Sequence, residues 1–111
     1  MSNPRKQRGT TAETQACTYL QSIFPEVHRL APAGANDKGD LGGIPDLTIQ
    51  VKNHKTMALA SWVDETAKQA ANGGNAVFVV IHKRRGKGDP GQWYVTTTLQ
   101  VFAETFGELL T

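Results

Sequence analysis

The sequence predicts an α/β domain in which a mixed central β-sheet is flanked by helices. Apolar and polar residues alternate strictly over residues 47–52, which is the period of a strand with one face against a core. A nearly continuous apolar run covers residues 76–81, as expected of a strand covered on both faces. Three other stretches carry apolar residues at helical spacing, so the elements are expected to follow the order αβββαββα.

The N-terminal residues 1–9 are polar and basic, and they are predicted to form a flexible arm ahead of one domain over residues 10–111. The first helix is predicted over residues 11–24. Thr10 and Glu13 have the spacing of a capping box, in which each side chain bonds a free backbone N–H of the first turn. Capping is therefore one interpretation of Glu13.

Short strands are predicted over residues 27–31 and 40–44, and a tight turn leads from the second into the strand at 47–52. Ser61 is predicted to cap a second helix, which the Gly73–Gly74 pair ends because glycine readily adopts the left-handed conformation of a helix C-terminus. Trp62 of this helix is expected to be a core residue.

The apolar run at 76–81 is followed by a basic, glycine-rich tract that is predicted to turn the chain. A returning strand is expected over residues 92–98 and a terminal helix over residues 99–110. Trp93 is expected to be a core residue rather than a surface on which bases stack.

The composition of the 111 residues is ordinary for a globular domain with one modest core. No apolar run approaches the roughly 20 residues that span a bilayer, and the N-terminus lacks the apolar segment of a secretory signal. Cys17 is the single cysteine, which excludes an internal disulfide and suits a reducing compartment. We therefore expect a cytoplasmic protein with no membrane partner.

The basic residues are concentrated in two clusters although the net charge is only +2. Two such clusters on a nearly neutral chain are typical of phosphate binding. The alternative is a solvated tail and a charged hairpin tip. The members of the two clusters are Arg5, Lys6 and Arg8, and Lys83, Arg84, Arg85 and Lys87.

An acid, a polar strand residue and a lysine are predicted to converge near the strand at 47–52. Gln50 and Lys52 share its polar face, and Asp40 lies in a glycine-rich segment that can turn back beside them. Asp46 shares that face too, but it lies roughly 13 Å from Gln50 along a straight strand. If these side chains bind one metal ion, its ligands must lie about 2 Å from it, so Asp46 is too far from Gln50 and Asp40 is the preferred ligand. Asp37 and Asp46 are expected to form turns, although Asp37 could bind a second ion.

This pattern resembles the PD-(D/E)xK nuclease superfamily, and more closely the small Holliday junction resolvases of phages and archaea. The similarity extends over about residues 33–97. The matching segments are Gly34-Ala35-Asn36-Asp37-Lys38-Gly39-Asp40, Val51-Lys52 and His82-Lys83-Arg84-Arg85-Gly86-Lys87-Gly88-Asp89-Pro90. The resemblance implies the restriction endonuclease-like fold.

The resemblance also implies a site for Mg²⁺, for which Mn²⁺ would substitute. Its ligands would be Asp40, Gln50, the backbone carbonyl of Val51 and Glu13, an acid that reaches the metal from the first helix in the resembled resolvases. Lys52 would orient the attacking water or stabilise developing charge. Glu65 or Gln69 could support this site, and the alternative is that both lie on a solvated helix face.

Gln50 stands where the family usually has Glu, and an amide brings neither a negative charge nor a general base. Three explanations are open. The chain could be a natural variant in which Glu13 or Asp37 supplies the charge, or Gln50 could be an engineered substitution. The chain could also have kept DNA binding without catalysis.

The function expected from the resemblance is Mg²⁺-dependent hydrolysis of branched DNA at a four-way junction by a phage protein acting in its host cell. Lys83 would lie at the phosphate, with the rest of its cluster along the DNA backbone. Two symmetric nicks require two sites, which favours a C2 homodimer. The terminal helix or the Trp62 helix could provide its interface. The alternatives are a catalytically impaired module that binds branched DNA and a related nuclease that cuts duplex.

Overall fold

The computed structural model describes the backbone of residues 4–110 and the side chains of residues 7–110, and over this range it confirms an α/β architecture. Three helices flank a mixed sheet of five strands within these residues. The helices are α1 (Pro4–Gln21), α2 (Leu59–Gly73) and α3 (Leu99–Leu110). The strands are β1 (His28–Arg29), β2 (Leu41–Gly42), β3 (Leu47–Lys52), β4 (Val77–His82) and β5 (Tyr94–Thr96), and 3₁₀ turns occupy Gly34–Asn36 and Pro90–Gln92.

The strands are ordered β1-β2-β3-β4-β5 across the sheet, so β3 is central. β3 and β4 are parallel, with Lys52 opposite His82, and the other neighbouring pairs are antiparallel. The parallel pair is joined by α2, as a parallel connection requires a crossover. The carboxyl ends of β3 and β4 therefore meet at one edge of the sheet.

Helices cover both faces of the central strands. The face under α1 holds the main hydrophobic cluster, which is made of Ala12, Ala16, Cys17, Val27, Leu41, Ile49, Val51, Ile81 and Trp93. The face under α2 is more polar, since Trp62 and Ala70 are buried there together with Thr66 and Gln69. Both tryptophans are buried, which confirms their prediction as core residues.

The predicted start of the first helix was wrong, because α1 begins at Pro4 and not near Thr11. Proline suits a first helical position, and the straight-chain residues after it are good helix formers, so residues 4–9 of the predicted arm are helical. Thr10 is not an N-cap, since it lies inside α1 and its carbonyl accepts a hydrogen bond from the Thr14 hydroxyl at 3.0 Å. Glu13 consequently has no capping role.

The predicted ends of other elements were partly wrong. α1 ends at Gln21, and Ile23 and Phe24 beyond it are exposed rather than packed on the core. α2 begins two residues before Ser61, whose hydroxyl donates to the Ala58 carbonyl and does not cap the helix. The C-terminus of α2 is as predicted, with Gly74 in the left-handed conformation at φ 71°.

The polar face of β3 is buried, which the alternation of apolar and polar residues did not predict. Gln50 is 3% exposed and Thr48 is fully buried, because α2 covers that face of the central strand. Asn75 donates to the Thr48 hydroxyl at 2.9 Å, and Thr66 bonds Gln50. Polar strand residues are tolerated there because α2 and the residues after it satisfy their hydrogen bonds.

Within residues 4–110, the helices are too short or too polar for any of them to cross a membrane.

Candidate functional site

A cavity of about 780 Å³, here called the Asp40 cavity, lies where β3 ends at the edge of the sheet. Carboxylates and cations face each other across it. The acids on its wall are Glu13, Asp37, Asp40 and Glu65, and the cations are Arg8, Lys52 and Lys55. Such a mixture of charges can hold a hard cation and a phosphate together.

Asp40 is held by backbone atoms on both sides. Its N–H donates to the Ile49 carbonyl at 2.8 Å, and its carbonyl accepts from the Leu30 N–H at 2.8 Å. Its carboxylate Oδ2 accepts from the Val51 N–H at 2.7 Å. The preceding Gly39 has φ 107°, and a Cβ there would lie 2.8 Å from the Ile49 carbonyl oxygen. Glycine therefore allows the close approach that places the Asp40 carboxylate beside β3.

The pKa of Asp40 is raised to about 6, chiefly by burial and, to a smaller extent, by the nearby carboxylates of Glu13 and Asp37. The hydrogen bond from Val51 and the charge of Lys52 act in the opposite direction but are outweighed. A carboxyl group that is costly to ionise in the free protein gains stability when a cation binds to its charged form.

Both ends of the Gln50 side-chain amide form hydrogen bonds within the protein. Its Nε2 donates to Glu65 Oε1 at 3.1 Å, and its Oε1 lies 2.5 Å from the Thr66 hydroxyl. The same hydroxyl lies 2.6 Å from the Trp62 carbonyl oxygen. Because Thr66 has one hydroxyl proton, it can donate fully to only one of these two oxygens.

Glu65 is the acid that contacts the side chains of Gln50 and Lys52. Gln50 and, at 3.5 Å, Gln69 direct amide nitrogens at its Oε1, while its Oε2 lies 3.8 Å from Lys52 Nζ. Glu65 is thus partly exposed to solvent and bound to the site at the same time. A solvated helix face was the favoured prediction for Glu65 and Gln69, yet Gln69 is only 6% exposed.

The other acids near the site are engaged elsewhere. Glu13 pairs with Arg29 of β1 at 2.9 Å, so a bond across elements replaces the predicted cap. Asp37 accepts from the Gly39 N–H at 2.9 Å and forms the predicted turn on the cavity wall. Asp46 also forms a turn: it has φ 61° and accepts from the Ala76 N–H at 2.7 Å.

The donor set of the Asp40 cavity suits Mg²⁺ in chemical type. Asp40 and Glu65 offer carboxylate oxygens, and the buried Oε1 of Gln69 has no hydrogen-bond partner among the described residues. Over the same part of the chain, no three Asp, Glu, His or Cys side chains are grouped closely enough to hold a metal ion. A bound ion would therefore need amide, backbone and water oxygens in addition to carboxylates, which Mg²⁺ accepts.

The second basic cluster lies on the turn after β4 and does not line the Asp40 cavity. The Lys83 N–H donates to the Lys52 carbonyl at 3.0 Å, so the cluster begins next to the end of β3. Lys83 Nζ lies 5.6 Å from the centre of the Trp93 ring, and the Arg84 guanidinium carbon lies 5.5 Å from that of Tyr94. Of the N-terminal cluster, Arg8 lines the cavity, and the side chains of Arg5 and Lys6 lie outside the described residues.

No role at the site was predicted for the loop between β3 and α2. Asn53, His54, Lys55 and Thr56 line the Asp40 cavity directly after Lys52. They follow Gln50-Val51-Lys52 directly and include two basic side chains, and these two features could have indicated a place at the site. The loop extends the site along the sheet edge from Asp40 toward the turn after β4.

Comparisons of the chain with protein-family models, with curated proteins and with solved structures found no match.

Proposed function

We propose that this chain is a divalent-cation-dependent endonuclease that cuts branched DNA, with a four-way junction as its substrate. The observation that carries the proposal is the hydrogen bond between Asp40 and the Val51 N–H, which places a carboxylate beside Lys52 in a cavity of mixed charge. The resemblance of the sequence motifs to Holliday junction resolvases supports the choice of substrate. It also suggests a phage protein working in the cytoplasm of the host cell.

Four groups would hold the ion: the carboxylates of Asp40 and Glu65, the Val51 carbonyl and an amide oxygen from Gln50 or Gln69. Mg²⁺ bound there would lower the pKa of a water and offset the charge of the scissile phosphate. Mn²⁺ has similar ligand preferences and would substitute. Glu65 supplies the negative charge that Gln50 lacks, because the two side chains are in direct contact.

Gln50 can present its oxygen to this site by turning its amide over. With the Thr66 proton on the Trp62 carbonyl, the Thr66 oxygen is able to accept from Gln50 Nε2. The amide oxygen of Gln50 would then face Glu65, an arrangement that a cation favours and that the free protein does not. Glu13, whose carboxylate is paired with Arg29, would contribute to the charge of the site from a greater distance.

Lys52 would orient the attacking water or stabilise charge in the transition state, since its ammonium group lies on the wall of the same cavity. Lys83, Arg84, Arg85 and Lys87 would bind phosphates farther along the DNA. Arg8 would add a contact from α1, together with Arg5 and Lys6 as the sequence suggests. These contacts select the shape of the DNA more than its sequence.

A homodimer with C2 symmetry would give the two sites that paired nicks require. α3 supports this assembly, because Val101 is its one buried residue within the described part of the chain. The exposed large apolar side chains of α3 are Leu99, Phe102, Phe106, Leu109 and Leu110. They form one stripe at helical spacing, and a stable dimer commonly buries roughly 800 Å² of each partner.

A catalytically impaired module that binds branched DNA is the second candidate. It is favoured by the burial of Gln50 and by the use of both ends of its amide within the protein. In that case the basic turn would still bind DNA, while the cavity at Asp40 would hold no productive ion.

The proposal is tested by incubating a labelled four-way junction with the protein and Mg²⁺ or Mn²⁺, beside a linear duplex with the same arm sequences. Asp40→Asn and Gln50→Glu are run in parallel. We expect paired symmetric nicks in the junction, little cleavage of the duplex, and no cleavage by Asp40→Asn.

The other outcomes distinguish the alternative functions. Cleavage by Gln50→Glu alone would make this chain a disabled nuclease. Binding of the junction without cleavage by any form would support the binding module. Equal cleavage of junction and duplex would instead indicate a related nuclease that acts on ordinary duplex.

A further inference from the structure

A second cavity, of about 660 Å³, adjoins the Asp40 cavity and has no part in the chemistry proposed above. It lies between the loop after β3 and the turn after β4, with Tyr94 of β5 on its wall, and we call it the Tyr94 cavity. Arg8, Asn53, His54 and Lys55 line both cavities. A ligand in the Tyr94 cavity would therefore lie next to one at Asp40.

The Tyr94 cavity is cationic. The charged residues on its wall are Arg8, Lys55, Lys83, Arg84 and Arg85, and no Asp or Glu is among its described lining residues. The Asp40 cavity, by contrast, has four acids on its wall. An anion such as a phosphate group would bind in the second cavity without needing a metal ion to offset charge.

Four aromatic rings contact one another in a column beside this positive charge, each tilted by 52–53° to the next. The ring centres of His54 and Trp62 are 5.4 Å apart, those of Trp62 and His82 are 6.1 Å apart, and those of His82 and Tyr94 are 5.5 Å apart. Tyr94 is 50% exposed, and Met57, which also lines the cavity, is 55% exposed. Exposed rings and thioethers are surfaces on which a flat nucleobase stacks.

The exposed end of the column is supported by buried groups. Trp62 and His82 are buried, and His82 Nε2 lies 2.8 Å from the Thr96 hydroxyl. Burial also lowers the pKa of His82, which keeps its ring neutral near pH 7. The Arg84 guanidinium lies over the Tyr94 ring, so a base that stacks on this face takes the place of a cation that can then pair with the phosphate. The cavity thus combines a rigid flat surface with phosphate-binding charge.

We propose that the Tyr94 cavity binds one unpaired nucleotide of the DNA, with its base against Tyr94 and Met57 and its phosphate near Arg84 and Lys55. The volume lies within the roughly 300–1,000 Å³ of small-molecule sites. The identification of the ligand as DNA rests on the proposed function. The base pairs at the centre of an open four-way junction are stacked on one side only, so turning out one base costs less there than within a duplex, and this cavity would contribute to the preference for branched DNA.

The test measures binding in EDTA, so that it does not depend on cleavage. Fluorescence anisotropy of a labelled short single strand is measured with the unaltered chain, Tyr94→Phe and Tyr94→Ala. Val95→Ala is the matched control, because Val95 is the next residue of β5, is exposed and does not line the cavity. Loss of one stacked base corresponds to roughly 5- to 100-fold weaker binding.

We expect that loss for Tyr94→Ala, with Tyr94→Phe and Val95→Ala close to the unaltered chain. In a series of strands carrying one abasic site each, one position should weaken binding to the unaltered chain and not to Tyr94→Ala. Met57→Ala provides a second variant on an exposed loop residue, should circular dichroism show that Tyr94→Ala is unfolded.

Equal affinities of Tyr94→Ala, Met57→Ala and the control, together with no effect at any abasic position, would overturn the proposal. Binding would then be through phosphates alone. The outcome is separate from that of the cleavage assay, because a chain that cuts no DNA can still show a base pocket that depends on Tyr94.

Discussion

The side-chain amide of Gln50 and the carboxylate of Glu65 are in direct contact, with 3.1 Å between Nε2 and Oε1. One residue comes from the central strand and the other from the helix that crosses it. The contact pairs a neutral amide with an acid at a position where the resembled nucleases carry an acid on the strand. At this contact the negative charge is carried by α2 and not by β3.

Gln50→Glu should destabilise the protein in EDTA and make it more responsive to Mg²⁺. The new carboxylate would lie against Glu65, and two like charges at this distance repel each other unless a proton or a cation lies between them. We expect a lower Tm than that of the unaltered chain in EDTA and a larger rise on adding Mg²⁺. Thermal unfolding followed by circular dichroism measures both, and equal Mg²⁺ responses would contradict a cation site here.

Glu65→Gln should reduce Mg²⁺-dependent cleavage by at least roughly 10- to 100-fold, because that is the loss typical of a group that only supports a metal ligand, and Glu65 is proposed as a ligand itself. The variant keeps the size of the side chain but removes its charge beside Lys52. Asp64→Asn is the matched control, as Asp64 is the preceding residue of α2 and does not line the Asp40 cavity. Initial cleavage rates across a range of Mg²⁺ concentrations distinguish the two, and similar losses in both would argue against a special role for Glu65.

Asp40→Asn should stabilise the metal-free protein above about pH 6 and have little effect near pH 4. Because the folded-state pKa of Asp40 is raised from 3.8 to about 6, the stability it contributes is present below pH 3.8 and is lost as the pH rises through 6. The difference corresponds to about 3 kcal/mol or less in the free energy of unfolding. Asn keeps an oxygen that can accept from the Val51 N–H.

Urea denaturation of both proteins in EDTA, across this pH range, measures the effect. A stability gap between Asp40→Asn and the unaltered chain that stays constant with pH would show that the Asp40 carboxyl group is not responsible.

Arg85→Ala should weaken DNA binding and lower the slope of log affinity against log salt concentration by about 1, as expected for the loss of one phosphate contact. Arg85 is exposed on the turn after β4 and lines the Tyr94 cavity. Lys68→Ala is the control, because Lys68 is exposed on α2 and lines neither cavity. Binding titrations in EDTA at several salt concentrations give the slopes, which should be unchanged for the control.

Phe102→Asp should convert a dimer into a monomer. Phe102 is exposed on the apolar stripe of α3 and contacts Phe106, with ring centres 5.0 Å apart. Gln100→Asp places the same charge on the polar side of the helix and should leave the assembly intact. Light scattering after size-exclusion chromatography reports the mass, and a monomeric unaltered chain would refute the assembly.

The sequence was most informative where one local pattern determined the structure. The alternation over Leu47–Lys52 and the apolar spacing of Leu99–Leu110 predicted the bounds of β3 and α3 as observed. The glycine-rich segment before β3 also led to the expectation that Asp40 turns back beside Gln50 and Lys52, and in the structure its carboxylate is hydrogen-bonded to Val51, the residue between them. Local geometry suffices there because the partners are close along the chain.

It was least informative where burial depends on a distant partner. The burial of Gln50 follows from Thr66, which lies 16 residues farther along the chain and meets it only once α2 has packed. Alternating polarity indicates that the apolar face meets a core, but it does not show whether the polar face is buried, since a buried amide and a solvated one look alike in sequence. The same reason hides the contact of Glu65 with β3. No periodicity within α2 indicates which strand residue its acid will meet.

The Asp40 carboxylate is positioned through the main chain of its neighbours, by the Ile49 carbonyl and the Val51 N–H. Every amino acid except proline offers those atoms, so the side chains of β3 can be exchanged without displacing this acid. The place of the Asp40 carboxylate therefore does not depend on whether residue 50 carries an amide or a carboxylate.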